Sequence, residues 1–217
     1  MNEEPRTLDE EKAENIAPVP ATGPQMTPSK EAKKGSLKKD ISWGLIALIF
    51  ALLVCVRFFV AEPFLVYGSS MEPTFETGDY VIVDELTYKL QAPKRGDVVV
   101  LIPPNDPTKH YIKRILGLPG ETIVVKGSDV TIYNKDHPQS SGGLKLNEPY
   151  IKFPSTQEAT YTLTNSQYFV MGDNRAVSFD SRSWGPLPAA NITGKVLLRL
   201  YPFSEIGILP GSTNSFK

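Results

Sequence analysis

The chain has 217 residues, of which 41% are apolar and 22% charged, and its 23 basic and 24 acidic residues leave a net charge of −1. This balance argues against a protein that binds nucleic acid, which needs a basic excess. One cysteine excludes a disulfide framework within the chain, and two histidines leave little for a metal cluster. We therefore expect neither a metal nor another cofactor.

Two N-terminal segments differ sharply in composition. Residues 1–40 are polar, lack an apolar run and contain prolines at positions 18, 20, 24 and 28, which predicts a disordered tail. Residues 41–60 read ISWGLIALIFALLVCVRFFV, and ten of the first sixteen are Leu, Ile, Val or Phe. These ten favour membrane insertion by about 3 to 6 kcal/mol, which outweighs Arg57 near one end. Because twenty helical residues rise about 30 Å, we predict one transmembrane helix over residues 41–60.

The basic residues that flank this segment predict its orientation. Five lysines lie between residues 30 and 39, whereas the first basic residue after Arg57 is Lys89. Lysine and arginine accumulate on the cytoplasmic side of a membrane span. The tail is therefore expected in the cytoplasm, and residues 61–217 are expected on the outer side of the cell membrane, held by a single-pass anchor.

The exported part is predicted to be all-β. Proline and glycine are frequent, turn signals recur, and no helical period of useful length appears. Residues from about 134 to 166 are polar and loop-like, which predicts an irregular insertion. Eight segments are apolar or alternating and rich in Val, Ile and Tyr, as strands are: residues 64–67, 80–84, 97–102, 111–116, 122–125, 130–133, 168–171 and 192–201.

Three segments in this part carry candidate chemistry. Residues 68–75, GSSMEPTF, follow a predicted strand, where such a sequence most often forms a turn but can also expose a nucleophile. Lys113 lies in an apolar strand, and an inward-facing lysine is desolvated, which lowers its pKa and lets the neutral amine take a proton from a serine. Residues 172–185, GDNRAVSFDSRSWG, are dense in hydrogen-bonding groups. His110 and His137 are alternative bases, although a surface position is the default for both.

Together these segments resemble one family closely, bacterial type I signal peptidase. Ser70-Met71-x-Pro73-Thr74 looks like its nucleophile motif, and Tyr111-Ile-Lys113-Arg114 followed by GLPGE looks like its general-base motif. Residues 172–185 resemble its third motif, and Arg95-Gly-Asp97 resembles a structural one. The resemblance covers the predicted anchor and nearly all of residues 61–217. It implies a signal-peptidase-like β fold built on coiled antiparallel sheets behind one N-terminal transmembrane helix.

The resemblance also implies a function and roles for particular residues. The protein would be a Ser–Lys endopeptidase that removes signal peptides from exported preproteins near the bilayer and the translocon, cutting after a small-x-small pattern through an acyl-enzyme. Ser70 would be the nucleophile, with its backbone N–H in the oxyanion hole, and Lys113 the general base. Ser178 would hydrogen-bond the lysine amine. The remaining supporting residues would be Met71, Arg114, Asp173, Asp180 and Arg182.

Two alternatives from other classes stay open on the residues alone. A self-cleaving repressor-type peptidase shares the Ser–Lys pair, but it would lack a membrane span and carry a soluble partner segment. A non-enzymatic, membrane-tethered binding domain would make the three motifs a coincidence. The sequence also departs from some members of the family at Gly68, where a serine supplies a second oxyanion donor.

Overall fold

The computed structural model describes residues 43–59 and 61–213. The predicted tail, residues 1–40, lies outside the described residues. Helix α1, Trp43–Phe59, has 17 residues and covers most of the predicted anchor. Over the described residues, no helix is both long and apolar enough to cross a membrane. Two further helices have four residues each, α2 at Thr87–Leu90 and α3 at Ser181–Trp184.

Twelve strands are the main regular elements of residues 61–213, which confirms the all-β prediction for this part of the chain. Eight of them belong to a main sheet: β1 Ala61–Leu65, β2 Tyr80–Asp84, β3 Val98–Leu101, β4 Tyr111–Gly117, β9 Gln167–Met171, β10 Leu187–Pro188, β11 Ile192–Tyr201 and β12 Gly207–Ile208. The other four belong to a second sheet: β5 Thr122–Lys126, β6 Asp129–Tyr133, β7 Leu144–Lys145 and β8 Glu158–Thr162.

Every pairing in the two sheets is antiparallel. The main sheet has the order β1-β2-β11-β3-β4-β9-β10, with β12 paired to β11, and the second sheet has the order β7-β6-β5-β8. Strands β2, β11, β3, β4 and β9 therefore have a neighbour on both sides. Central strands of this kind hold side chains most rigidly, and β4 carries Lys113 and Arg114.

Each of the eight predicted strands is present, and β2 and β11 have the predicted bounds. The prediction of an irregular segment over 134–166 is wrong for Glu158–Thr162, which forms strand β8 along β5. The sequence of β8, EATYT, alternates exposed and half-buried residues on a sheet edge, so it lacks the apolar signature of a core strand. Strands β7, β10 and β12 have two residues each and carry no periodic signal.

Three apolar clusters form the core. One lies beneath residues 68–75 and contains the fully buried Met71 and Phe75 together with valines of β2, β3 and β11. A second joins the two sheets through Phe169 and Met171 of β9 and residues of β5 and β6. The third packs Val99 and Leu101 of β3 against β4, β9 and β10. Burial of this apolar surface holds both sheets in place around β4 and β9.

Candidate active site

Ser70 and Lys113 come together although 43 positions separate them in the chain. The Lys113 amine donates a hydrogen bond to Ser70 Oγ at 2.8 Å and a second to the carbonyl of Ile112 at 2.9 Å. Ser70 is half-buried, whereas its neighbour Ser69 is exposed. The distance between Nζ and Oγ is that of a direct proton transfer.

Ser70 is held by a short turn that we call the serine loop, residues 68–75. The backbone N–H groups of Thr74 and Phe75 both donate to the carbonyl of Met71, at 2.8 and 3.0 Å. The side chains of Met71 and Phe75 are fully buried beneath the loop. Met71 therefore contributes by packing, and its burial fixes the backbone from which Ser70 projects.

The surroundings of Lys113 favour the neutral amine. Its side chain is 3% exposed, and within the described residues no carboxylate lies within 4 Å of its amine. Burial lowers the pKa of Lys113 to about 8. The negative charges of Asp180 and Asp173 raise this pKa, whereas the positive charge of Arg182 lowers it further. At pH 7, about one molecule in ten then has a neutral amine that can accept a proton.

Arg114, the neighbour of Lys113 in β4, forms a buried ion pair with Asp173. Its Nε and Nη2 atoms donate to the two carboxylate oxygens at 2.8 and 2.6 Å, and both side chains are at most 1% exposed. The hydroxyl of Thr74 donates to the same carboxylate at 2.5 Å. Asp173 thus connects β4 to the serine loop.

Asp180 and Arg182 form a second buried pair in what we call the support loop, residues 172–182. Asp180 caps α3 and accepts from Nε and Nη2 of Arg182 at 2.8 Å each, and from the backbone N–H of Gly172 at 3.0 Å. Arg182 also donates to the carbonyls of Arg175 and Ser178 at 2.9 and 3.3 Å. These bonds close the support loop on itself.

The support loop lies directly against Ser70, and Gly172 permits this approach. A Cβ atom at Gly172 would stand 2.3 Å from the Ser70 carbonyl oxygen and 2.3 Å from Ser178 Oγ. The backbone N–H of Asn174 donates to the same Ser70 carbonyl at 3.0 Å. Any side chain at position 172 would clash with these atoms, which explains why the motif has glycine there.

A cavity of about 120 Å³ opens beside the Ser70–Lys113 pair. Apolar side chains of β1, β2 and β3 line it together with both members of the pair. His110 stands at this cavity with its ring tilted against Phe64, the ring centroids 5.6 Å apart. The site therefore combines a hydroxyl, a buried amine and a small adjoining pocket, which is what covalent hydrolysis of a peptide bond requires.

Comparison with known proteins identifies the family. Residues 40–201 match the family model described as "Signal peptidase, peptidase S26". The chain belongs to this family. It is a serine endopeptidase, and the alternative of a non-enzymatic binding domain is therefore wrong.

Two named relatives agree with this assignment. The chain is 38% identical to a probable signal peptidase I-1 of Synechocystis sp., over 82% of this chain and 89% of the relative. It is 34% identical to signal peptidase I of Leptolyngbya laminosa, over 91% of this chain and 96% of the relative. A crystal structure of a signal peptidase I from Enterococcus faecalis V583 matches with a TM-score of 0.40 and 29% identity, over 49% of this chain and 97% of that one.

One contact expected from the family resemblance differs in this signal peptidase. Ser178 was expected to hydrogen-bond the Lys113 amine, but the amine is directed to Ser70 and to the carbonyl of Ile112. Ser178 Oγ is buried against the Cα of Gly172, and no atom of the described residues forms a hydrogen bond with it. The Ile112 carbonyl, one residue before the lysine, thus takes the place that Ser178 was expected to fill.

Several residues at this signal peptidase site lie outside the motifs. Arg199 of β11 donates to the carbonyl of Thr74, pairs with Asp79 and Glu205, and lies 4.7 Å from the ring centroid of Phe75. One feature of the sequence could have indicated a buried role for Arg199, because it lies inside the apolar run VLLRLY. A buried arginine in a strand requires a partner, although its partner is not readable from the sequence.

Proposed function

We propose that this chain removes the N-terminal signal peptides of exported preproteins, with Ser70 as nucleophile and Lys113 as general base. The observation that carries the proposal is the 2.8 Å contact between Ser70 Oγ and the amine of a buried lysine that has no counter-ion among the described residues. Relatives that are 34 to 38% identical over most of the chain bear the name signal peptidase I.

The proposed reaction proceeds in two halves. The neutral amine of Lys113 takes the proton of Ser70 Oγ as this oxygen attacks the scissile carbonyl carbon, and the resulting ammonium then protonates the leaving amine. Lys113 next takes a proton from water, the hydroxide attacks the ester, and Ser70 recovers its proton as the signal peptide leaves. The backbone N–H of Ser70 would stabilise the oxyanion, and Gly68 offers no second hydroxyl.

Asp173 and Asp180, each held by an arginine, would keep the serine loop and the support loop in register. The buried pairs Arg114–Asp173 and Arg182–Asp180 involve no atom of Ser70 or Lys113. Their contribution is positional, since they connect β4, Thr74 and Gly172, which surround the pair. Positioning of this kind matters because small displacements of reacting groups reduce rates strongly.

The direct test is cleavage of a preprotein by the wild type and by Ser70→Ala. We expect Ser70→Ala to lose cleavage entirely, since no other hydroxyl contacts the Lys113 amine in the described part of the chain. Ser69→Ala is the matched control, and it should retain most of the rate because Ser69 is exposed. Loss of activity in Ser69→Ala with retention in Ser70→Ala would overturn the assignment.

The small cavity predicts the side chains accepted next to the cut. A volume of about 120 Å³ accommodates a small side chain such as alanine more readily than a large aromatic one. We therefore expect alanine to be preferred at the residue before the cut and at the third residue before it. Equal processing of a preprotein with phenylalanine at the residue before the cut would contradict this specificity.

A membrane anchor is the second part of the proposal. Residues 41–60 would span the cell membrane once, with residues 1–40 in the cytoplasm and residues 61–217 on the outer side, near the bilayer and the translocon. The apolar side chains of Trp43, Leu48 and Phe50 are 85, 65 and 68% exposed on α1, as side chains that face lipid would be. Strand β1 begins at Ala61, directly after this segment.

Liposome flotation of the full-length protein tests the anchor. We expect the wild type to float with the vesicles, and a Leu48→Lys/Phe50→Lys variant to remain in the soluble fraction, because two buried charges oppose insertion. Leu90→Lys is the matched control, since Leu90 is an exposed leucine of α2 and lies outside the proposed span. Flotation of the double variant at the wild-type level would argue against an anchor in this segment.

A further inference from the structure

A buried cluster connects the second sheet to the support loop. Arg175 of the support loop is 1% exposed, and its guanidinium binds Glu148, with Nη2 at 2.5 Å from Oε1 and Nη1 at 3.2 Å from Oε2. Nη1 also donates to the carbonyl of Ser128, in the turn between β5 and β6, at 3.2 Å. The hydroxyl of Tyr150 donates to the same Glu148 carboxylate. Glu148 and Tyr150 lie in the segment that was predicted to be an irregular insertion.

Two chains of contacts lead from these residues to Ser70. In the first, Arg175 Nε donates to the carbonyl of Gly172 at 2.9 Å, and the Cα of Gly172 stands against the carbonyl of Ser70. Glu148 orients Arg175 for this bond. The support loop is thereby attached to the second sheet at the point where it approaches the serine loop.

In the second chain, the ring of Tyr150 covers the guanidinium of Arg114, with 4.2 Å between the guanidinium carbon and the ring centroid. Arg114 binds Asp173 through two hydrogen bonds, and Asp173 accepts the hydroxyl of Thr74 in the serine loop. The aromatic face shields the Arg114–Asp173 pair from water, which strengthens the pair.

We infer that Glu148 and Tyr150 are positioning residues of the peptidase site: they fix Arg175 and Arg114, and through these arginines they hold the support loop and the serine loop in the arrangement that cleavage requires. This inference rests on the proposed function. Glu148 binds Arg175, and Tyr150 covers Arg114, so both act on the site through another side chain. The second sheet therefore contributes to the site although the Ser70–Lys113 pair lies outside it.

The physical reason is that a buried arginine requires its carboxylate. Without Glu148, the Arg175 guanidinium would be left buried and unpaired, and it would turn away from Gly172 to find another acceptor or water. The support loop would then lose the bond next to Ser70. Because displacements of about 1 Å at a reacting group can reduce a rate about 100-fold, the effect should appear in kcat.

The experiment measures kcat and KM for cleavage of a preprotein by the full-length protein in detergent, together with the melting temperature of each variant. Glu148→Ala should lower kcat about 10- to 100-fold and change KM less than about threefold. Glu148→Gln keeps an oxygen acceptor for Arg175 but not the negative charge, so it should recover only part of the rate. Glu158→Ala, which removes an exposed glutamate of β8, is the matched control and should stay within about twofold of the wild type.

Substitutions of Tyr150 test the second chain of contacts separately from the first, because the ring covers Arg114 and the hydroxyl binds Glu148. Tyr150→Phe keeps the ring over Arg114 and should lower kcat less than about fivefold, whereas Tyr150→Leu removes the ring and should lower it about tenfold. If Glu148→Ala does not fold, Tyr150→Leu decides the matter at a temperature well below its melting point. A purely structural role would lower the melting temperature and leave kcat of the folded variant unchanged.

The outcomes distinguish a failure of the proposed function from a failure of the positioning role. A wild type that does not cleave the preprotein would defeat the proposed function. A wild type that cleaves, with kcat of folded Glu148→Ala and Tyr150→Leu within about twofold of it, would defeat the positioning role alone. A decrease in kcat in Glu148→Ala that Glu148→Gln partly reverses would support both.

Discussion

Lys113 and Arg114 are neighbours in β4 and are both almost fully buried, yet their partners differ. Arg114 has a carboxylate, that of Asp173, at 2.6 Å, whereas Lys113 has the hydroxyl of Ser70 and the carbonyl of Ile112. A guanidinium cannot lose its proton in a protein, so its burial requires a counter-ion. An amine can lose its proton, and burial lowers the pKa of Lys113 to about 8.

This difference shows how one strand supplies both a structural cation and a candidate base. The acids that raise the pKa of Lys113 are Asp180 and Asp173, and each is paired with an arginine. The positive charge of Arg182 lowers the pKa of Lys113 and so offsets part of the increase caused by the two acids. The surrounding ion pairs can therefore stabilise the loops without restoring a high pKa to Lys113.

The largest expected effect comes from removing the lysine's ability to lose a proton. Lys113→Arg should lower kcat/KM at least about 1000-fold, since an arginine stays protonated and a general base contributes about 100- to 10,000-fold. Lys113→Ala should have the same effect. Lys109→Ala, at an exposed lysine four residues earlier, is the control and should keep its activity in the preprotein assay. Substantial activity in Lys113→Ala would indicate another base, with His110 the first to examine.

Arg114→Met tests the opposite half of the comparison. It leaves the Asp173 carboxylate buried and unpaired, so we expect the free energy of unfolding to fall by about 3 to 5 kcal/mol in urea titrations. The double variant Arg114→Met/Asp173→Leu should recover part of this loss because no charge remains. A loss below about 1 kcal/mol in the single variant would mean that the pair does not support the fold.

Lys113→Met should make the protein more stable while it abolishes activity. The folded pKa of Lys113 is lowered from 10.5 to about 8, so the folded state disfavours the proton that the unfolded chain holds. Below pH 8 this costs up to about 3 kcal/mol, the cost decreases between pH 8 and 10.5, and above pH 10.5 it is gone. The urea midpoint of Lys113→Met should therefore exceed that of the wild type at pH 7, with a difference that shrinks toward pH 10.5. An equal or lower midpoint at pH 7 would contradict the cost of burying this amine.

The smallest effect is expected for Ser178→Ala. Ser178 Oγ has no hydrogen-bond partner among the described residues, so its removal deletes no bond present in the resting site. We expect kcat to fall no more than about tenfold, with an unchanged urea midpoint. A loss as large as that of Lys113→Ala would show that the hydroxyl engages the amine during catalysis.

The sequence predicted the strands of the main sheet well because they are apolar on at least one face. It missed β8, which is half-exposed on a sheet edge, and the two-residue strands, whose pairing is decided by neighbours far along the chain. Periodicity reports burial of a local segment, and it carries no information about tertiary partners.

For the site, the motifs indicated Ser70 and Lys113, and the structure brings the two side chains into contact. The partners of Arg175 and Arg199 were not predictable, since Glu148 and Glu205 are ordinary acids in polar segments. Whether Ser178 Oγ comes within hydrogen-bond distance of the Lys113 amine depends on how the two side chains are placed. Such distances follow from packing of both loops and not from spacing in the sequence.

The central claim is that burial makes Lys113 a base near neutral pH, and the pH dependence of kcat/KM tests it most directly. The measurement uses the wild type and a preprotein whose own groups do not titrate between pH 6 and 11. Its kcat/KM should rise with pH and level off above a midpoint near 8, which is the pKa of the Lys113 amine in the substrate-free enzyme. His110→Gln should show the same midpoint. A midpoint near 10.5, the ordinary lysine value, or an acid limb that disappears in His110→Gln, would contradict the account.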